Sequence, residues 1–83
     1  VTVRVTLIGK PGCHLCDDAR TIVASVCADV GERFEEWSIL DDPALYDEHS
    51  ERIPVVLVDG RPHDFWRVDP VRLRTALTTP RPS

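Results

Sequence analysis

Apolar and polar side chains alternate at the start of the chain, with Val1, Val3, Val5 and Leu7 separated by Thr2, Arg4 and Thr6. A period of two places alternate side chains on opposite faces of an extended backbone, so the pattern predicts a strand ending near Ile8. Gly9-Lys10-Pro11-Gly12 breaks it. From Cys13 the period changes. Leu15, Cys16, Ala19, Ile22, Val23, Val26, Cys27 and Val30 recur at steps of three and four, which predicts a helix with one apolar stripe, stopped by Gly31. Phe34 to Leu40 predicts a second strand, with Trp37 packed in or over the sheet. Asp41 or Asp42 ahead of Pro43 marks a helix entry, because proline suits the first helical position. That helix, through Leu45 and Tyr46, ends before Ile53-Pro54. Val55-Val56-Leu57-Val58 is a continuous apolar run, the pattern of a strand covered on both faces. Asp59-Gly60 is a hairpin signal, and a fourth strand over Arg61 to Phe65 follows, which Pro62 confines to a sheet edge. Asp69-Pro70 opens a last helix with Val71, Leu73, Ala76 and Leu77 on its apolar face.

The predicted order is β-α-β-α-β-β-α. A strand-helix-strand start implies a parallel pair, and the later hairpin adds an antiparallel one. The expectation is a single α/β domain over residues 1–78, a four-stranded mixed sheet flanked by helices. Thr79-Pro80-Arg81-Pro82-Ser83 forms a flexible polar tail, since two prolines among five residues do not continue a helix.

Composition narrows the classes. The 83 residues are 42% hydrophobic and 29% charged, the balance of a globular chain. Formal charge is −4, which argues against nucleic acid or an anionic membrane as the main partner. The longest uninterrupted apolar run is Val55 to Val58, too short for a transmembrane helix or a signal-peptide core, so a cytoplasmic location is expected. Nothing in the pattern demands a dimer, and a monomer is expected. The chain is polarised, with nine carboxylates and one arginine from Asp29 to Glu51 and five arginines from Arg61 to Arg81. These read mostly as solvated faces that could steer a partner.

The candidate chemistry lies at the first strand-to-helix turn. Cys13 and Cys16 form Cys-His-Leu-Cys, while Cys27 stands apart and reads as a small buried hydrophobe. Unpaired N–H groups and the positive end of the helix dipole favour a thiolate at Cys13. Three-residue spacing on a helix lets two sulfurs close a ring, so one thiolate can attack a disulfide and the other release it. Cys13, at the exposed end, would attack; Cys16, on the apolar stripe, would resolve. His14 and Lys10 add possible positive charge, and Asp17 and Asp18 oppose it. Between a strand and a helix, such a pair favours redox over metal chemistry. A structural zinc wants four ligands, often as two close pairs, and His49, His63 and Cys27 are scattered. The alternative is a metal-binding or trafficking module using the pair; a third is an interaction domain in which the cysteines are incidental.

Lys10-Pro11-Gly12-Cys13-His14-Leu15-Cys16 after a strand, with Ile53-Pro54-Val55 before another, resembles the glutaredoxin-like branch of the thioredoxin-fold superfamily, in its small bacterial Cys-x-x-Cys form. The likeness spans residues 3 to about 77. It implies a thiol-disulfide oxidoreductase of cell redox homeostasis, with Cys13 and Cys16 catalytic and no dissociable cofactor. A low-molecular-weight thiol or a protein reductant would reset the pair, and its substrates would be low-molecular-weight thiol or protein disulfides. It further implies a cis bond before Pro54, and that Ile53 offers its backbone to an extended substrate. Lys10, His14, Ile53, Pro54 and Asp69 are then the substrate-binding candidates, although Asp69 reads first as an N-cap. Two departures bear on the substrate. The active-site pair holds His14 and Leu15 where glutathione-binding relatives carry an aromatic residue, and no Gly-Gly turn precedes Asp69. Trp66 reads as core or edge packing, with a position beside the substrate groove as the alternative. His49 and His63 read as surface residues.

Overall fold

The computed structural model describes residues 3–78; the predicted tail over 79–83 lies outside them. Seven elements follow in the expected order: β1 Val5–Gly9, α1 His14–Val30, β2 Phe34–Ser38, α2 Pro43–His49, β3 Val55–Val58, β4 Arg61–Phe65 and α3 Pro70–Thr78. They build one four-stranded sheet in the order β2-β1-β3-β4. β1 and β2 are parallel, and β1–β3 and β3–β4 are antiparallel.

The alternation in β1 sorts its side chains between two cores. Val5 and Leu7 join Val56 of β3 under α1 and α3, together with Ala19, Val23, Val26, Cys27, Leu73 and Leu77. Ile8 and Val55 point to the opposite face, where Ile39, Leu45 of α2, Leu57 and Phe65 gather. Both faces of the central strands are therefore covered, which is why β3 is apolar at consecutive positions.

Several sequence expectations need correcting. β1 starts at Val5, which faces Phe34 and Val58; the carbonyl of Arg4 before it accepts the Asp59 N–H at 2.7 Å, and Val1 and Thr2 of the predicted strand lie outside the described residues. β2 stops at Ser38, opposite Gly9, the last residue of β1; a turn closed by the Asp41 N–H donating to the Ser38 carbonyl at 3.1 Å follows. Trp37 is 42% exposed on the edge strand β2, and its indole N–H donates to Glu35 at 3.3 Å. His49 is buried, not on the surface, because it lies four residues after Leu45 on the face of α2 turned to the sheet. His63 is half-buried as well. β4 carries an irregularity in which Val56 pairs with Asp64 and Leu57 with Pro62, leaving His63 as the extra residue. Val71 is exposed; α3 buries Leu73 and Leu77 instead.

At the end of the sheet where β1 begins, Arg4 gathers the loops. Its guanidinium donates to both carboxylate oxygens of Asp59 at 3.1 Å, to Glu32 at 2.9 Å and to the Leu77 carbonyl at 3.1 Å. Gly9, at the other end of β1, leads into the cysteine turn.

Candidate active site

Cys13 is the N-cap of α1. Its backbone is extended (φ −98°, ψ 116°), and its Sγ accepts the Cys16 N–H at 3.3 Å, the place usually held by a serine or aspartate oxygen. The sulfur thus stands at the positive end of a 17-residue helix, against one of its orphan N–H groups. The two carboxylates that follow are not equivalent. Asp17 is drawn to Arg20 at 2.9 Å, which in turn holds Glu36 at 2.6 Å, so its charge is shared away from the sulfur.

Cys16 has the opposite surroundings. It is 2% exposed, and burial pushes its thiol from an ordinary value near 9 to about 11, with the hydrogen bond to Cys13 adding to the rise. A hydrogen bond from the Lys10 main chain acts in the other direction and is outweighed. Cys16 fits because Gly9 has no side chain: a Cβ there would lie 2.8 Å from the Cys16 Sγ. Both cysteines are free thiols, one half-buried and the other beneath it. Such a pair separates a sulfur that can meet a partner from one that keeps its proton until called on.

The Ile53–Pro54 peptide is cis, as the resemblance implies. Pro54 is fully buried, and the pairing of Ile8 with Val55 sets it at the Gly9 end of the sheet, the end that carries the cysteines. Ile53 is half-buried and packs on the second core. His14 is exposed beside Cys13. Lys10 is exposed and lines a cavity of about 290 Å³ on the β2 side, together with Gly9, Cys16, Trp37 and Asp41. Asp69 is the N-cap of α3: one carboxylate oxygen accepts the N–H groups of Val71 at 2.9 Å and Arg72 at 3.3 Å. That bonding accounts for the residue without a substrate.

Trp66 is not in the core; its ring tilts against that of Phe65, at the end of edge strand β4, with centroids 6.3 Å apart. It is 57% exposed, with Leu15 across a groove of about 510 Å³ between α1 and the loop before α3. Cys27 is buried, and desolvation raises its thiol, as suits a packing residue. Desolvation lowers the His63 imidazole, with Arg72 adding to the effect. Among the described residues, no three histidine, cysteine or carboxylate side chains are grouped closely enough to hold a metal ion. No helix among them is long and apolar enough to cross a membrane. Sequence reasoning passed over Gly9; its signal was a glycine closing an apolar strand just ahead of a cysteine-bearing helix.

Comparison with known proteins agrees with this arrangement. The family model described as Glutaredoxin-like domain (DUF836) matches residues 4–78. Uncharacterized proteins of Mycobacterium bovis and Mycobacterium tuberculosis are 36% identical over 81 residues, which covers 89% of this chain and 81% of theirs. The X-ray structure of a structural-genomics target protein from X. campestris is 36% identical with a TM-score of 0.73, covering 88% of this chain and 93% of that one.

Proposed function

The chain belongs to the glutaredoxin-like domain family, and from that premise we propose that it is a thiol-disulfide oxidoreductase acting in cytoplasmic redox homeostasis. The observation that carries this reading is the asymmetry of its two thiols: the Cys13 sulfur caps a helix and is partly accessible, whereas Cys16 is buried and holds its proton.

In the forward direction the Cys13 thiolate attacks one sulfur of a disulfide. That S–S bond breaks, a mixed disulfide forms on Cys13, and the departing thiolate takes up a proton. Cys16 then gives up its proton and attacks the Cys13 sulfur. The Cys13–Cys16 bond forms as the second substrate thiol leaves. The substrate gains two electrons and two protons, and the pair loses them. A low-molecular-weight thiol or a protein reductant restores the dithiol, so no bound cofactor takes part. Ile53 and cis Pro54 would align an extended substrate against Cys13, with His14 at its rim. The protein acts as a monomer in this scheme.

A metal-trafficking role for the same pair would need further donors from a partner, given the scatter of the remaining ligands among the described residues. The deciding experiment is a redox titration of metal-free protein in thiol buffers, with alkylation and mass spectrometry locating each oxidised cysteine. A reversible Cys13–Cys16 disulfide with Cys27 left alkylatable is the expected result. A pair that never closes, or closes only after a metal is stripped from it, overturns the proposal.

A further inference from the structure

Trp66 is the one described residue besides Asp59 to hold a positive φ without being glycine, and Asp59 sits in a hairpin turn suited to it. Its φ of 60° places a bulky side chain in a region that such residues avoid. The Arg67 N–H donates to the Phe65 carbonyl at 2.6 Å, closing a three-residue turn with Trp66 at its apex, the strained kind of γ-turn. Two further bonds fix the residue. Its main-chain N–H donates to the Pro54 carbonyl at 2.8 Å, and its indole Nε1–H donates to the Glu51 carbonyl at 3.2 Å. Trp66 is therefore clamped on either side of Ile53. A tryptophan held in strain, anchored by both backbone and ring, and still 57% exposed despite its contact with Phe65 is not explained by core packing.

The groove it borders has Leu15, from inside the Cys-His-Leu-Cys motif, on its other wall, and Ile22 and Val68 also line it. Its charged residues are Asp18 and Arg67, one of each sign. Among the described residues that line it, no cation is in surplus to receive the carboxylates of an anionic small thiol, and Lys10 lines the separate cavity on the β2 side. The groove thus reaches the cysteine motif at Leu15, has Trp66, Ile22 and Val68 along its other walls, and carries one charge of each sign.

We infer that Trp66 is a specificity-determining residue, which with Leu15 receives an apolar or aromatic side chain next to the reacting cysteine of an extended polypeptide disulfide. This rests on the oxidoreductase reading and sharpens it: the substrate is a protein rather than a small anionic disulfide. The indole is a rigid apolar surface whose own polar N–H is already satisfied, so an aromatic side chain docks without leaving a donor unpaired.

The test uses the reduced full chain and four disulfides: cystamine, glutathione disulfide, and the cysteamine mixed disulfides of the peptides acetyl-Ala-Phe-Cys-Ala-amide and acetyl-Ala-Ala-Cys-Ala-amide. The phenylalanine peptide should be reduced about tenfold faster than the alanine peptide, the scale of one aromatic contact. It should also outrun glutathione disulfide. Trp66→Gly, which suits the positive φ, should bring the ratio of the two peptides near unity, and Trp66→Phe should keep most of it. The unreactive serine analogue of the phenylalanine peptide should shift the indole N–H resonance of Trp66 and not that of Trp37. Equal rates for the two peptides in the unaltered chain, a ratio that survives Trp66→Gly, or an unmoved Trp66 indole overturns the inference while cystamine reduction leaves the oxidoreductase reading standing. If cystamine is not reduced at all, both fall.

Discussion

β1 runs between two ends of one sheet that are held in unlike ways. At the Arg4 end, one guanidinium ties three segments together: Asp59 from the β3–β4 hairpin, Glu32 from the α1–β2 loop, and the last turn of α3 through the Leu77 carbonyl. Its polar groups find partners there. At the Gly9 end the same strand leads into a cysteine standing in for an oxygen at a helix cap, a buried thiol pressed against a glycine, and a tryptophan held at φ 60°. On the proposed reading the second end is the reactive one, while the Arg4 bonds and the two apolar cores hold the sheet together.

The sharpest way to break the contrast is Gly9→Val. The new side chain would meet the Cys16 Sγ, since even a Cβ comes to 2.8 Å. Overpacking against the buried Cys16 side chain should cost on the order of 3 kcal/mol, seen as a lower urea midpoint. In the molecules that still fold, the Cys13–Cys16 ring should close markedly more slowly, measured by stopped alkylation. Normal closure would show that Cys16 has room to move and that Gly9 is a mere strand end.

Next in size is a pH effect. The Cys16 thiol sits at about 11 in the folded chain against an ordinary value near 9. Between those values the folded chain keeps a proton that the unfolded chain has released, so the stabilisation present below pH 9 is lost as the pH rises toward 11. The loss should be on the order of 2 kcal/mol for the reduced protein, read from urea unfolding at each pH. Desolvation of Cys27 acts in the same direction, so Cys16→Ala should flatten the slope in part and not abolish it. A slope untouched by Cys16→Ala would mean that water reaches this thiol.

Arg4→Met should give the smallest of the three effects. Its ion pairs are only partly shielded, with the guanidinium side chain 19% exposed, so the loss should be about 1 kcal/mol. The midpoint potential of the cysteine pair should not move. A shifted potential would show that the two ends are coupled through β1 and would undo the comparison.

How far the chain announces this arrangement differs between the same two ends. The strands and helices were legible because their apolar periods change cleanly at Gly9, Gly31 and the two Asp-Pro entries, and both cysteines declare the site by spacing. The positions that went astray are those where tertiary surroundings decide. Trp37 reads as packing in or over the sheet, yet on the edge strand β2 it is 42% exposed. His49 and His63 read as polar and exposed, yet one lies on the inward face of a short helix and the other in an irregularity of β4. The positive φ of Trp66 carries no sequence signal, because the local choice for that conformation would be glycine. It is imposed by the bonds to Glu51 and Pro54, fifteen and twelve positions earlier in the chain.

The outer strands bear on self-association. A sheet with open margins invites a second molecule to add its own strand and so begin a fibre. Here one margin, β2, displays Glu35, which a second copy would meet with the same sign of charge. The other, β4, is interrupted by Pro62, which has no N–H to donate, and by the shifted register beside it. Both margins thus discourage copies of the chain from lengthening each other's sheets, and a concentrated solution of the folded protein should resist growth into cross-β aggregates.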